Sequence, residues 1–319
     1  MKSVRVWLLI LCVMIIAMVA LGGITRLTGS GLSIVEWQPI LGAIPPLNQA
    51  AWQETFEKYQ HTPQFKLLNS DMQLDGFKAI FFWEYLHRLF GRFIGLVFAV
   101  PFTYFLVTRK LRGRNAWRAG LGFVLGGAQG ALGWVMVRSG LVDLPHVSHY
   151  RLAAHLMLAL AVLSYLFHFW LELGETPPQK VADTPRLIIK LRILLALTVL
   201  QLTYGAFVAG LHAGYVFNTF PTMQGFWIPP GMLEREPAWR NLFENLTTVQ
   251  FIHRGLAWLL LFGVLALAVQ ARRLRPPLLW VVLTICVQFS LGVATLLLTV
   301  PVALATLHQV GGCLLLLSL

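Results

Sequence analysis

Long uncharged apolar runs dominate the chain. Val6 to Thr25, Ala119 to Val137 and Leu152 to Leu171 contain no Asp, Glu, Lys or Arg, and neither does Pro276 to Leu319. A bilayer core of about 30 Å takes about 20 apolar residues per helix. Each of the first three runs therefore predicts one spanning helix, and the last predicts two, with a break near Thr299 to Pro301. Three further helices, Trp83 to Thr108, Ile193 to Leu211 and Gln250 to Ala271, bring the expected total to eight, the first and last carrying charges only in their opening turns. The start Met1-Lys-Ser-Val-Arg, with Ala20-Leu-Gly22 downstream, has the layout of a cleaved signal peptide, but the apolar run exceeds a usual signal core and reads as the first span. Between Leu47 and Ile80, Trp52, Phe56 and Tyr59 recur at helical spacing among polar residues, which predicts a short surface helix.

Composition places these helices in lipid. Of 319 residues 57% are hydrophobic and 12% charged, about half the charged fraction that keeps a soluble surface hydrated. The expected fold class is an all-α integral membrane protein. A net charge of +12 suggests nucleic acid in a soluble chain. Here it reads as topology, because Lys and Arg are retained in cytoplasmic loops. Arg109 to Arg114, Lys180 to Arg192 and Arg272 to Arg275 then lie inside with both termini, and they and the N-terminal tail account for 13 of the 25 Lys+Arg. The expected location is the inner (cytoplasmic) membrane, with two large loops outside, residues 23–82 and 211–249. Cys12, Cys286 and Cys313 all fall in apolar runs and read as small buried hydrophobes.

The chain also repeats itself. Glu84-Tyr-Leu-His87-Arg88 opens the second span and Gln250-Phe-Ile-His253-Arg254 opens the sixth. Gln129-Gly-Ala-Leu-Gly133 is echoed by Gln288-Phe-Ser-Leu-Gly292, and His155 answers His308. This predicts two pseudo-symmetric four-helix bundles in parallel orientation, residues 1–172 and 186–319, joined by a cytoplasmic linker at 173–185. Four of nine histidines thus hold equivalent positions toward the outer side. One membrane histidine is satisfied by a hydrogen bond from a neighbouring helix; four at repeat-related sites point instead to two opposed imidazole pairs, each suited to an iron porphyrin. Zinc hydrolysis lacks its His-Glu-x-x-His run, copper lacks a Met/His cluster, and a di-iron site lacks carboxylates. Arg88, Arg92, Arg151 and Arg254 stand near the outer ends of the histidine-bearing spans, placed to pair with haem propionates or to snorkel to headgroups. The halves differ at one telling position, Glu84 against Gln250. A carboxylate at that depth has a task or a partner: proton or charge chemistry in the first half, or an ion pair with Arg88 at i+4.

At these residues the chain resembles the haem A synthase family, whose members oxidise a methyl group of haem O to a formyl group. Gly22-Gly-Ile-Thr25-Arg26-Leu-Thr28-Gly-Ser30-Gly-Leu-Ser33-Ile-Val-Glu36-Trp37-Gln-Pro39 and Phe81-Phe-Trp83-Glu84-Tyr-Leu-His87-Arg88-Leu-Phe-Gly91-Arg92 are similar to the family's segment after helix 1 and its helix 2 signature. The resemblance covers nearly the whole chain. It implies successive hydroxylations through a hydroxymethyl intermediate to a hydrate that loses water, giving haem A for terminal oxidases. It implies a substrate haem O facing His87 and His155 in the N-terminal half, haem b iron ligated by His253 and His308 in the C-terminal half, and Glu84 as the catalytic carboxylate. The implied partners are haem O, delivered by haem O synthase, membrane lipid and an electron donor, with a homo-oligomer admitted and nucleic acid excluded. Many bacterial members carry cysteine pairs in the outer loops; this chain has none there, so no outer disulfide takes part, and the long first loop looks like the mitochondrial and proteobacterial branch. The competing reading is a bis-histidine diheme b-type carrier that oxidises quinol, but two equivalent carriers would not require the Glu84/Gln250 difference.

Overall fold

A computed structural model describes residues 1–36, 41–140, 145–174, 185–270 and 275–319. Trp37, Gln38 and Pro39 of the first signature, most of the expected linker and the basic residues Arg272 and Arg273 lie outside the described residues. The chain forms two compact units, Met1–Gly174 and Glu175–Leu319.

In the first unit α1 (Lys2–Leu27), α4 (Leu74–Val107), α5 (Gly113–Gly140) and α6 (His149–Glu172) pack in a closed ring, α1 against α4, α4 against α5, α5 against α6 and α6 back on α1. The second unit repeats that order with α7 (Pro185–Gly210), α9 (Leu246–Gln270), α10 (Arg275–Leu297) and α11 (Val302–Ser318). Among the described residues the structure is helical without strands, and seven helices are long and apolar enough to cross a membrane. The eighth, α11, is a shorter apolar helix of 17 residues. The break expected near Thr299 falls between α10 and α11, where Thr299 and Val300 both take positive φ. Leu260, Val264, Ile285 and Leu315 close the core of the second bundle. Val6, Ile10 and Val13 on α1 point outward, as lipid-facing positions should. Cys12 and Cys313 are buried as expected, whereas Cys286 is exposed: it sits on the outward face of α10, where a small apolar side chain meets lipid as readily as core.

The loop between α1 and α4 departs from expectation in a useful way. The polar-aromatic stretch makes two helices, α2 (Gln49–Gln60) and α3 (Pro63–Leu68), capped by the Asn48 and Thr62 side chains. Helix α4 then begins at Leu74, nine residues before the expected start at Trp83. Its extra turns carry Phe77 and Phe81, which pack with Phe56, Tyr59 and Trp52 of α2. The charges Asp75 and Lys78 mask this extension in a search for apolar runs, yet an aromatic stripe alone suffices to hold the helix against α2. Tyr59 is fully buried; its hydroxyl donates to Gln64 Oε1 at 3.1 Å and accepts from Asn69 Nδ2 at 2.7 Å. Gln64 Nε2 in turn donates to the Gly29 carbonyl just after α1. A Tyr59→Phe change leaves two polar groups without a partner at a cost of about 1–3 kcal/mol. Hydrogen exchange over residues 49–69 should therefore rise while the spanning helices stay protected; unchanged exchange there would show that the network does not hold this layer.

At the loop's start, Lys58 of α2 bridges Glu36 and Glu54 at 2.8 Å each. The Glu36 carboxylate, then that of Glu54, holds the ammonium well above its ordinary pKa. The second long loop lacks such helices apart from the single turn α8 (Asn241–Glu244), and asparagines organise it instead. Asn241, fully buried, donates to the Arg235 and Ala238 carbonyls and accepts from the Arg235 N–H. Asn218 ties the loop to the end of α10 through the Leu296 carbonyl at 2.9 Å.

Candidate functional site

Each of the four repeat-related histidines rests against a glycine of the adjacent helix. His87 of α4 lies on Gly22 of α1, His155 of α6 on Gly133 of α5, His253 of α9 on Gly205 of α7, and His308 of α11 on Gly292 of α10. A Cβ at those glycines would stand 3.2, 2.9, 3.1 and 2.8 Å from the respective rings. Glycine is needed because no side chain fits between imidazole and helix. In the second unit the His253 and His308 ring centroids are 6.5 Å apart with planes at 87°. A metal ion bonded at about 2 Å to one nitrogen of each ring sets the centroids roughly 6 Å apart, so the observed pair fits one shared ion. His253 Nδ1 and His308 Nδ1 are buried without a hydrogen-bond partner among the described residues. In the first unit His87 and His155 lie close enough to interact electrostatically. All four rings are half-buried.

Among the described residues no three His, Cys, Asp or Glu side chains converge in a metal-binding group. Two opposed imidazoles fill two positions and leave the plane between them to donors from elsewhere, the arrangement a haem macrocycle completes.

One helical turn before three of the four glycines stands a glutamine. Gln129 Nε2 lies 3.2 and 3.3 Å from the two ring nitrogens of His155 and donates to the His155 carbonyl at 3.0 Å. Gln201 Nε2 is 3.4 Å from His253 Nε2, and Gln288 Nε2 donates to the His308 carbonyl at 2.9 Å. The corresponding residue of α1 is Met18.

Glu84 and Gln250 are equally buried, each 2% exposed, so the difference between them is charge and hydrogen bonding rather than depth. Glu84 Oε1 accepts from Arg88 Nε at 3.0 Å and Nη2 at 2.6 Å; Oε2 accepts from Ser33 Oγ at 2.7 Å and the Ile34 N–H at 2.8 Å. Arg88 also donates to the Ile34 and Glu36 carbonyls. The i+4 ion pair is therefore present, and it latches the loop after α1 onto α4. In the second unit the polarity reverses: Gln250 Nε2 donates to the Phe217 carbonyl at 3.2 Å, and Arg254 donates to the carbonyls of Phe217, Thr219 and Thr222. Arg88 and Arg92 line a cavity of about 440 Å³ with Glu36, Pro45, Lys58 and Phe81. Arg151 donates to the Val135 carbonyl at 3.0 Å.

Over residues 5–319 the chain matches the family described as Cytochrome oxidase assembly protein. It is 47% identical to the Heme A synthase of Nitrosospira multiformis over 98% of this chain and 90% of that protein. It is 46% identical to the Heme A synthase of Nitrosomonas eutropha, again over 98% and 90%. The Heme A synthase of Paracoccus denitrificans is 44% identical over 97% and 84%. The chain belongs to the cytochrome oxidase assembly protein family. Within this family member the sequence located the histidines and Glu84, and the repeat exposed Gln129 with Gly133 and Gln288 with Gly292. Gln201-x-x-x-Gly205 carries the same four-residue signal on α7 and is a third copy of it. Ser33 and the Ile34 N–H, the loop donors to Glu84, had no such signal: they lie about fifty positions from it and reach it only through the fold.

Proposed function

We propose that this chain is a haem A synthase: it oxidises the haem O methyl group to a formyl group by successive hydroxylations, giving haem A for terminal oxidases. The observation that carries the reading is that the two units hold matched histidine seats but only the first has a buried carboxylate beside them, Glu84, where the second has Gln250. The whole-chain identity to proteins named Heme A synthase supports it, and none of these three is named as an electron carrier, so the diheme alternative gains nothing.

In this reading haem O, the substrate, sits between His87 and His155, and haem b is held by His253 and His308, whose spacing and unpartnered Nδ1 atoms suit it. Bound haem b supplies a redox-active iron able to pass electrons. The chain's own residues do the rest. The glycine seats fix the planes in which the imidazoles point. Glu84 is the catalytic carboxylate: Arg88, Ser33 and the Ile34 N–H occupy its four acceptor positions and fix it one turn from His87. Arg88, Arg92, Arg151 and Arg254 are the candidate propionate partners, and Arg88, Arg151 and Arg254 also donate to backbone carbonyls. The basic loops set both termini in the cytoplasm and the histidine sites toward the outer side of the inner membrane.

Purification from cells that make haem O, followed by pigment extraction, tests the reading. Haem A or its hydroxylated precursor is expected beside about one haem b per chain; extracts with haem b alone from a stoichiometric diheme protein would overturn it.

A further inference from the structure

Three of the four histidine seats are built alike and the fourth is not. On α5, α7 and α10 a glutamine precedes the seating glycine by four residues, and its amide lies against the histidine ring or backbone. The Oε1 atoms of Gln129, Gln201 and Gln288 are all buried without a partner among the described residues. Amide oxygen and nitrogen exchange by a half-turn, so the Gln129 and Gln201 amides are able to accept from a ring N–H instead. A ligating imidazole is held in orientation by a hydrogen bond to its second nitrogen, and these amides are placed to make it. On α1 the same position is Met18, whose Cε packs toward Gly91, one turn beyond His87. A thioether makes no comparable bond. Among the described residues no hydrogen bond to the His87 ring is present.

We propose that Gln129, Gln201 and Gln288 are positioning residues that lock His155, His253 and His308 toward their haems, and that Met18 leaves His87 as the one imidazole able to turn away. This rests on the haem reading above. Turning the His87 ring about its Cβ–Cγ bond breaks no hydrogen bond, whereas turning His155 or His253 displaces the amide of Gln129 or Gln201, and the Gln288 amide holds the His308 backbone carbonyl. The substrate side of the first unit, next to Glu84, is thus where a ligand position opens, and the second unit keeps both of its imidazoles.

Ferric haem b serves as a probe that needs no turnover. The purified protein, with its resident haem, is loaded with one further equivalent and titrated with cyanide, followed by Soret and electron paramagnetic resonance spectra. In the wild type cyanide should bind the added haem and spare the resident one. Met18→Gln should weaken cyanide binding at the added haem about tenfold, the equivalent of one net hydrogen bond. Met18→Leu should behave as the wild type, and Gln201→Met should make the resident haem reactive. Equal cyanide affinity in wild type and Met18→Gln, with both haems bound, would overturn the proposal. Absence of any Soret band from the wild type would overturn the haem reading itself.

Discussion

Replacing Gly292 by alanine is expected to strip haem b from the second unit while leaving the bundle folded. The added Cβ would stand 2.8 Å from His308 Cε1 and 3.3 Å from Nδ1, closer than side-chain atoms pack. The ring cannot yield by flexing a chain end, as a lysine or methionine would. It must rotate or carry α11 away from α10, and either motion moves its nitrogen off the axis shared with His253. Disturbing the groups that orient a metal-bound histidine costs about 10- to 100-fold in affinity. Gly133→Ala, with its Cβ 2.9 Å from His155 Cε1, does the same to the first unit: resident haem b should remain while haem O binding weakens. Gly22→Ala, at 3.2 Å from His87 Nε2, should be the mildest. Pyridine haemochrome content against helical circular dichroism separates ligand loss from unfolding. Full haem b retention in Gly292→Ala would show that the glycine seat does not set the ligand position.

The histidines and the seats were unequally legible from sequence, for a physical reason. Membrane spans announce themselves by excluding charge, so the eight apolar helices and the break at Thr299 follow from composition along the chain. The repeat then exposes what is copied at fixed spacing within a helix: His87 with His253, Gln129 with Gln288. Which glycine meets which ring depends on how neighbouring helices are staggered, and no spacing within one helix records that. Gly22 and Gly205 became seats only through the packing of α1 on α4 and α7 on α9. The same limit hid the first turns of α4, whose Asp75 and Lys78 look like loop, although Phe77 and Phe81 pack on α2. It also hid the environment of Glu84, which comes from a loop about fifty residues away.

That environment makes Glu84→Gln the sharpest test of chemistry in the first unit. Gln250 shows that an amide is accommodated at the equivalent depth when the loop offers a carbonyl. At position 84 the loop offers donors instead, Ser33 Oγ and the Ile34 N–H, with Arg88 on the other oxygen. An amide has one acceptor oxygen for these two sides, so its NH₂ group must face either Arg88 or the Ile34 N–H, and one donor loses its partner at about 1–3 kcal/mol. Arg88 keeps the Ile34 and Glu36 carbonyls, so the latch loosens without opening and the histidine seats are untouched. Haem b content and haem O binding should therefore stay close to wild type. Product formation should fall by about two to three orders of magnitude, the usual loss when a charged group aimed at a reacting centre is removed. Glu84→Asp keeps the charge but withdraws it by one methylene from both Arg88 and the loop, and should retain activity intermediate between Gln and wild type. The two variants separate charge from mere tethering, since both disturb the latch and only one removes the negative charge. If Glu84→Gln still converts haem O at the wild-type rate, the carboxylate serves the loop alone, and the catalytic group of the first unit is not Glu84.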